Sequence, residues 1–215
     1  MRLLLLGATG LVGSTVLRQA LADQAVSEVV APTRRPLVSQ NKLVNPVDSC
    51  LDELAPRVKS WNVDAVVCAL GTTKAKAGSQ KAFRYVDYTL PLVFAKAAHI
   101  AGVETFALVS AIGASASSMF FYAKTKGEVE RDIQKIGFRS LTICRPSIIA
   151  GERSEMRIAE GAVLAISRVL APTLPSKFHI NPASVIAATL LNSVLTAKAG
   201  CRWIFAEEMN QKRTT

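Results

Sequence analysis

Tyr122 and Lys126 stand four residues apart in Tyr122-Ala123-Lys124-Thr125-Lys126. On a helix, that spacing puts a phenol and an ammonium on one face. A neighbouring ammonium favours the phenolate, so Tyr122 could exchange a proton with a carbonyl or an alcohol near neutral pH. Taken alone, the spacing is common by chance, and a solvated helix surface is its default meaning. Its position gives it weight, because it opens a helical stretch downstream of a glycine turn and after a strand-like run.

That turn is Gly7-Ala8-Thr9-Gly10-Leu11-Val12-Gly13. It follows an apolar run directly and opens an amphipathic segment, the context in which a glycine pattern points to a dinucleotide. The first glycine permits a tight turn, the second lets backbone approach a pyrophosphate, and the third allows close helix-strand packing. Free N–H groups at the helix start then meet the phosphate charge.

The next strand bears on the cofactor. An NAD site usually presents Asp or Glu there, for the ribose 2′-hydroxyl. Here the run ends in Thr33-Arg34-Arg35-Pro36, with no acid nearby. Two guanidiniums suit a 2′-phosphate, so NADP is expected, with NAD as the alternative. Asp48 could accept from the adenine amino group. Ala69, Leu70, Gly71 and Thr72 would line the far ribose.

These groups need a scaffold, and the hydrophobic pattern supplies one. Strands are expected over residues 2–6, 28–33, 43–47, 65–70, 105–109, 140–145 and 202–205. Their apolar runs are continuous, as in strands covered on both faces. Helices are expected over 11–23, around Leu51, Leu54 and Val58, over 79–101 with a kink or break at Pro91, and from about Phe121 to a cap at Gly137. Two more apolar helices, about 156–170 and 183–197, flank Pro172, Pro175 and Pro182. Strand-helix alternation implies right-handed crossovers, hence an α/β fold with a Rossmann-like, doubly wound parallel sheet of about seven strands. The 215 residues are read as one domain. Residues 1–151 form its cofactor-binding core, and 152–215 a small substrate-side subdomain with the last strand.

Composition narrows the function classes. No apolar run approaches the roughly 18 residues needed to span a bilayer, so no membrane partner is expected. A strand starting at residue 2 leaves no room for a removable leader, so a cytoplasmic protein is expected. Cys50, Cys68, Cys144 and Cys201 form no C-x-x-C pair and read as reduced thiols, and no metal site is expected. The net charge is +10. The basic residues are nevertheless scattered, apart from Arg34-Arg35, Lys74/Lys76 and Lys212-Arg213, and aromatics are only 6%. Nucleic acid is therefore disfavoured, since a phosphate-rich small ligand accounts for the charge at least as well.

Several stretches together resemble a family. They are GATGLVG (7–13), TRRP (33–36), ALGTT (69–73), FRYVDYTLP (83–91), FALVSAIGA (106–114), YAKTKGEVE (122–130) and CRPSIIAG (144–151). In this order they resemble an atypical short-chain dehydrogenase/reductase. Within that branch the chain is similar to the small oxidoreductase-like proteins related to the human Tat-interacting protein. The resemblance implies that Gly7, Thr9, Gly10, Leu11, Val12 and Gly13 hold pyrophosphate and that Arg34 and Arg35 take the 2′-phosphate. It implies Tyr122 as catalytic acid/base, Lys126 as its partner, and Pro146, Ser147 and Ile148 at the nicotinamide. A homodimer through the 79–101 and Tyr122 helices is a further family expectation.

One position departs from the pattern. Ala111 stands where the family's catalytic Ser usually does. Ser110 is the substitute candidate, with Ser115, Ser117 and Ser118 behind it. Asp87 and Tyr88 read as packing or solvent-face residues, and His99 as structural. His179 and Arg153 are weaker candidates to face a substrate. The leading expectation is an NADP(H)-dependent oxidoreductase acting on a small carbonyl or alcohol. The alternative is an NADPH-binding regulatory or assembly protein with little catalysis. A nucleotide-sugar epimerase or dehydratase ranks last, because those enzymes carry a larger C-terminal lobe.

Overall fold

A computed structural model describes residues 1–150 and 180–211. Its centre is β1, Arg2–Leu6, in which Leu3, Leu4, Leu5 and Leu6 are wholly buried. Parallel neighbours flank it: β2 (Glu28–Val30) on one side and β4 (Ala65–Cys68) on the other. Beyond β2 lies β3 (Leu43–Val44). Beyond β4 lie β5 (Thr105–Val109), β6 (Ser140–Arg145) and β9 (Gly200–Phe205). The sheet thus runs β3-β2-β1-β4-β5-β6-β9, all parallel, as expected of a doubly wound fold. Strand order reverses between β1 and β4, and a ligand crevice opens beyond the carboxyl ends of such a pair.

Alternation sends successive side chains to opposite layers. Leu3, Leu5, Val29 and Val67 pack on one layer against α1 (Leu11–Ala22) and α6 (Ala183–Thr196). Leu4, Leu6, Val66 and Phe106 pack on the other. That second layer holds the helix Leu51–Trp61, α4 (Leu90–Ile100) and α5 (Phe121–Gln134). Two covered faces explain the unbroken apolar runs.

Several boundaries moved. The second strand stops at Val30 and continues only as an isolated bridge, Thr33 to Val47, because Pro32 has no N–H for a ladder. Leu51–Trp61 is a 3-10 helix carrying Pro56 inside it, not an α-helix. The expected 79–101 helix is divided. Before it, α2 (Lys74–Ala77) ends at Gly78; then come α3 (Gln80–Arg84), a π-helical turn Tyr85–Thr89, and α4. Pro91 lies in the first turn of α4 and cannot donate to the Asp87 carbonyl four residues back. The chain widens there, just before the proline.

A small pair unseen in the pattern, β7 (Ile149–Ala150) with β8 (Asn181–Pro182), joins the two described segments. Past it the chain returns to the main body. α6 shares the core of α1, β9 forms a sheet edge, and α7 (Ala206–Gln211) closes the described chain. The expected 156–170 helix, Gly151, Arg153, Pro172, Pro175, His179 and the Lys212-Arg213 tail lie outside the described residues. Among the described residues, no helix is long and apolar enough to cross a membrane.

Candidate active site

The glycine turn closes by a hydrogen bond from Gly10 N–H to the Gly7 carbonyl at 2.9 Å. Gly7 has φ +85, and a Cβ there would sit 2.6 Å from the Ala69 carbonyl oxygen at the end of β4. A Cβ on Gly13 would lie 2.0 Å from the Gly7 carbonyl oxygen. Both positions exclude any side chain, so turn, helix and β4 loop approach as only glycine permits. Gly10 caps α1 without a side-chain hydrogen bond, which leaves the first-turn N–H groups of Leu11, Val12 and Gly13 facing the crevice end. Such a cradle fits a pyrophosphate.

Arg34 and Arg35 are exposed on the loop after β2. That loop is shaped by Asn45, whose Nδ2 donates to the Ala31 carbonyl (2.6 Å) and to Thr33 Oγ1 (2.8 Å). Thr33 Oγ1 in turn donates to the Arg35 carbonyl at 2.7 Å. Asp48 uses Oδ1 to accept from Cys50 N–H at 2.9 Å, which fixes the turn after Val47.

Ala69, Leu70, Gly71 and Thr72 connect the cradle to the Tyr-Lys helix. Ala69 abuts Gly7, while a Cβ on Gly71 would lie 3.6 Å from Asp87 Oδ1 and 3.9 Å from Lys126 Nζ. Lys126 is buried in the first half of α5 and pairs with Asp87 at 2.8 Å. Asp87 Oδ2 accepts from the Thr72 N–H at 2.9 Å. Burial works against the Lys126 charge, but Asp87 foremost and then Tyr122 outweigh it and hold the ammonium above the ordinary lysine value. Beneath them, burial pushes the Cys68 thiol up to about 12. Asp87, read from sequence as a packing or solvent-face residue, is instead the buried counter-ion of the site.

Tyr122 sits one turn before Lys126, 41% exposed, with its ring 5.8 Å from that of the buried Phe83. Ser110 does not join it. Its hydroxyl donates to Glu130, which also accepts from Arg145 Nε (3.0 Å) and Nη2 (2.5 Å) and from Trp203 Nε1 (3.4 Å). Ala111 is buried. Ser115 and Ser117 pair with each other, and Ser118 accepts from the Phe120 N–H. The loop bearing them presses on α5 at Gly127, where a Cβ would meet Ser115 backbone at 2.1 Å.

On the far side, Pro146, Ser147 and Ile148 follow β6. Asn181, wholly buried, fixes them: its Oδ1 accepts from Ser147 N–H at 2.9 Å, and its Nδ2 donates to the Ala206 carbonyl at 2.9 Å. Asn181 and Glu130 carry no sequence signal of their role, since each acts through partners remote in the chain.

The chain matches the NAD(P)H-binding family model over residues 7–162. It is 43% identical over 156 residues to the protein FMP52, mitochondrial, of Candida albicans, covering 70% of this chain and 68% of that one. The corresponding Aspergillus fumigatus protein is 33% identical over 210 residues, covering 91% and 88%. The fold is similar to that of the Bordetella bronchiseptica enzyme WbmH in complex with NAD+ (TM-score 0.72, 14% identity, 95% of this chain and 75% of that one). It is also similar to UDP-glucose 4-epimerase of Thermotoga maritima (TM-score 0.71, 14% identity, 100% and 81%). At such identity these likenesses concern the fold alone. The expected cytoplasmic location is overturned, because the curated relatives carry the designation mitochondrial. With sequence, sheet order and glycine cradle in agreement, the chain belongs to the NAD(P)H-binding family and is an atypical short-chain dehydrogenase/reductase of Rossmann fold.

Proposed function

We propose that this chain is an NADP(H)-dependent oxidoreductase acting on a small carbonyl or alcohol. The observation that carries this reading is the continuity of the β4 loop. Ala69 touches the pyrophosphate cradle at Gly7, and two residues later Gly71 lies beside Lys126 Nζ. One ligand lying along that loop would reach both the phosphate-binding turn and the helix that bears Tyr122.

When bound, the nicotinamide supplies the hydride that a carbonyl accepts or an alcohol gives up. The protein's part is positioning and proton transfer. Gly7, Thr9, Gly10, Leu11, Val12 and Gly13 hold the pyrophosphate, and Arg34 and Arg35 the 2′-phosphate. Asp48 serves the adenine side through its second oxygen. Lys126 holds the ribose on the nicotinamide side, one helical turn from Tyr122. Tyr122 then gives its proton to the substrate oxygen in reduction and takes it back in oxidation. Pro146, Ser147 and Ile148 border the ring. With the Ser110 hydroxyl engaged by Glu130, polarising the substrate oxygen falls to Tyr122. The names of the fungal relatives support a mitochondrial setting.

NADPH consumption across a panel of small aldehydes and ketones tests the reading, and turnover that requires NADPH is the expected result. A second reading draws on the engagement of Ser110: a cofactor-binding regulatory or assembly protein. Firm NADPH binding without turnover of any carbonyl, together with recovery of a protein partner, would favour it.

A further inference from the structure

A lysine deprived of solvent keeps its proton only beside a counter-ion. Lys126 and Asp87 meet at 2.8 Å with side chains only 7% and 1% exposed. Asp87 reaches this point because the π turn before Pro91 carries it inward between β4 and α5. Its other oxygen receives the Thr72 N–H. One carboxylate therefore touches both the loop along the cradle and the helix bearing Tyr122.

We infer that Asp87 is a positioning residue, keeping Lys126 charged and aimed into the site while pinning the 69–72 loop to the same point. What Lys126 does once so held rests on the redox reading above; the pair itself does not. Among the described residues, the titratable groups facing Lys126 are Asp87 from the π turn, Tyr122 from its own helix and Cys68 from β4. Cys68, pushed up to about 12, is neutral at physiological pH. The next acid on that helix face, Glu130, is taken up by Arg145. No other carboxylate among the described residues is in place to replace Asp87.

Asp87→Asn tests this, because the amide removes the charge yet can still accept from Thr72. In the native protein Lys126 lies above its unfolded value of about 10.4. Its stabilisation is therefore present below that value and lost only as pH rises through the still higher folded one. In Asp87→Asn, burial dominates and the folded value drops below the unfolded one. The penalty is then full at low pH and relieved as pH rises. The Tm gap between wild type and Asp87→Asn should narrow from about pH 6 to about pH 10, and in a Lys126→Met background Asp87→Asn should no longer lower Tm, because the orphaned carboxylate is then itself the unpaired buried charge. Affinity for NADPH, read by fluorescence titration at neutral pH, should fall several-fold in Asp87→Asn and recover in part in Asp87→Glu. A gap constant with pH, a Tm loss from Asp87→Asn that survives Lys126→Met, or unchanged NADPH affinity in Asp87→Asn would each overturn the inference. The redox reading fails by a different result, native NADPH binding without turnover, which moves neither readout.

Discussion

The Ser110 hydroxyl is held by Glu130, two helical turns beyond Tyr122 on the same face of α5. Glu130 is buried and gathers Ser110, Arg145 and Trp203 into one network. Ser110 is thus a tie between β5 and α5. Ser110→Ala should lower stability by about 1.5–3 kcal/mol, the range for a hydrogen bond to a charged group, and change kcat by less than about tenfold. Glu130→Gln should cost more stability, on the order of 3–5 kcal/mol, because it strands the Arg145 charge. Denaturant unfolding and steady-state kinetics on both variants check this. A kcat loss in Ser110→Ala as large as that from removing the Tyr122 hydroxyl would return Ser110 to the reacting centre.

The cradle has no space to spare. Gly13→Ala places a methyl 2.0 Å from the Gly7 carbonyl oxygen, so the turn must open. Gly102→Ala, at φ +87 with nothing within 4 Å, bears only backbone strain of about 1–2 kcal/mol. NADPH titration should show binding lost in the first variant and kept in the second. Equal affinities would remove the turn from the cofactor site.

Arg34 and Arg35 are exposed, and the 2′-phosphate is the only part of the cofactor that distinguishes NADP from NAD. Each charge-assisted contact contributes roughly 1.5–3 kcal/mol. The double replacement Arg34→Ala/Arg35→Ala should weaken NADPH by on the order of 100-fold or more while leaving NADH within a few-fold. A parallel loss for both nucleotides would contradict the NADP assignment.

The four thiols should divide by environment. Cys50 and Cys201 are exposed, whereas Cys68 and Cys144 are buried. With its thiol pushed up to about 12, Cys68 carries almost no thiolate at neutral pH. An aromatic disulfide reagent should release colour quickly for Cys50 and Cys201 and reach the others only on unfolding. Rapid reaction of Cys68 in the folded protein would mean that the layer beneath Lys126 opens to solvent.

Much of this architecture is legible in the sequence because it rests on local pattern. β1, β5 and β6 span the residues expected of them, 2–6, 105–109 and 140–145, since strands covered on both faces show as largely apolar runs between polar turns. The Gly7 turn and the Tyr122–Lys126 pair are legible for the same reason, as fixed spacings on single elements. Asp87 is not. A carboxylate in Tyr85-Val86-Asp87-Tyr88-Thr89 looks like a helix-surface residue until Pro91 widens the turn and Lys126 arrives from another helix. Glu130 and Asn181 escape in the same way, since each serves partners brought close only by the sheet. The cytoplasmic expectation failed as well, against relatives designated mitochondrial.

Tyr122→Phe is the most direct test of the central claim, because it removes one oxygen from a ring that otherwise keeps its contact with Phe83. The variant should fold, bind NADPH as the native protein does, and lose turnover by roughly 10²–10⁴-fold, the worth of a positioned acid/base. Turnover undiminished beside intact NADPH binding would contradict that claim and remove Tyr122 from the chemistry.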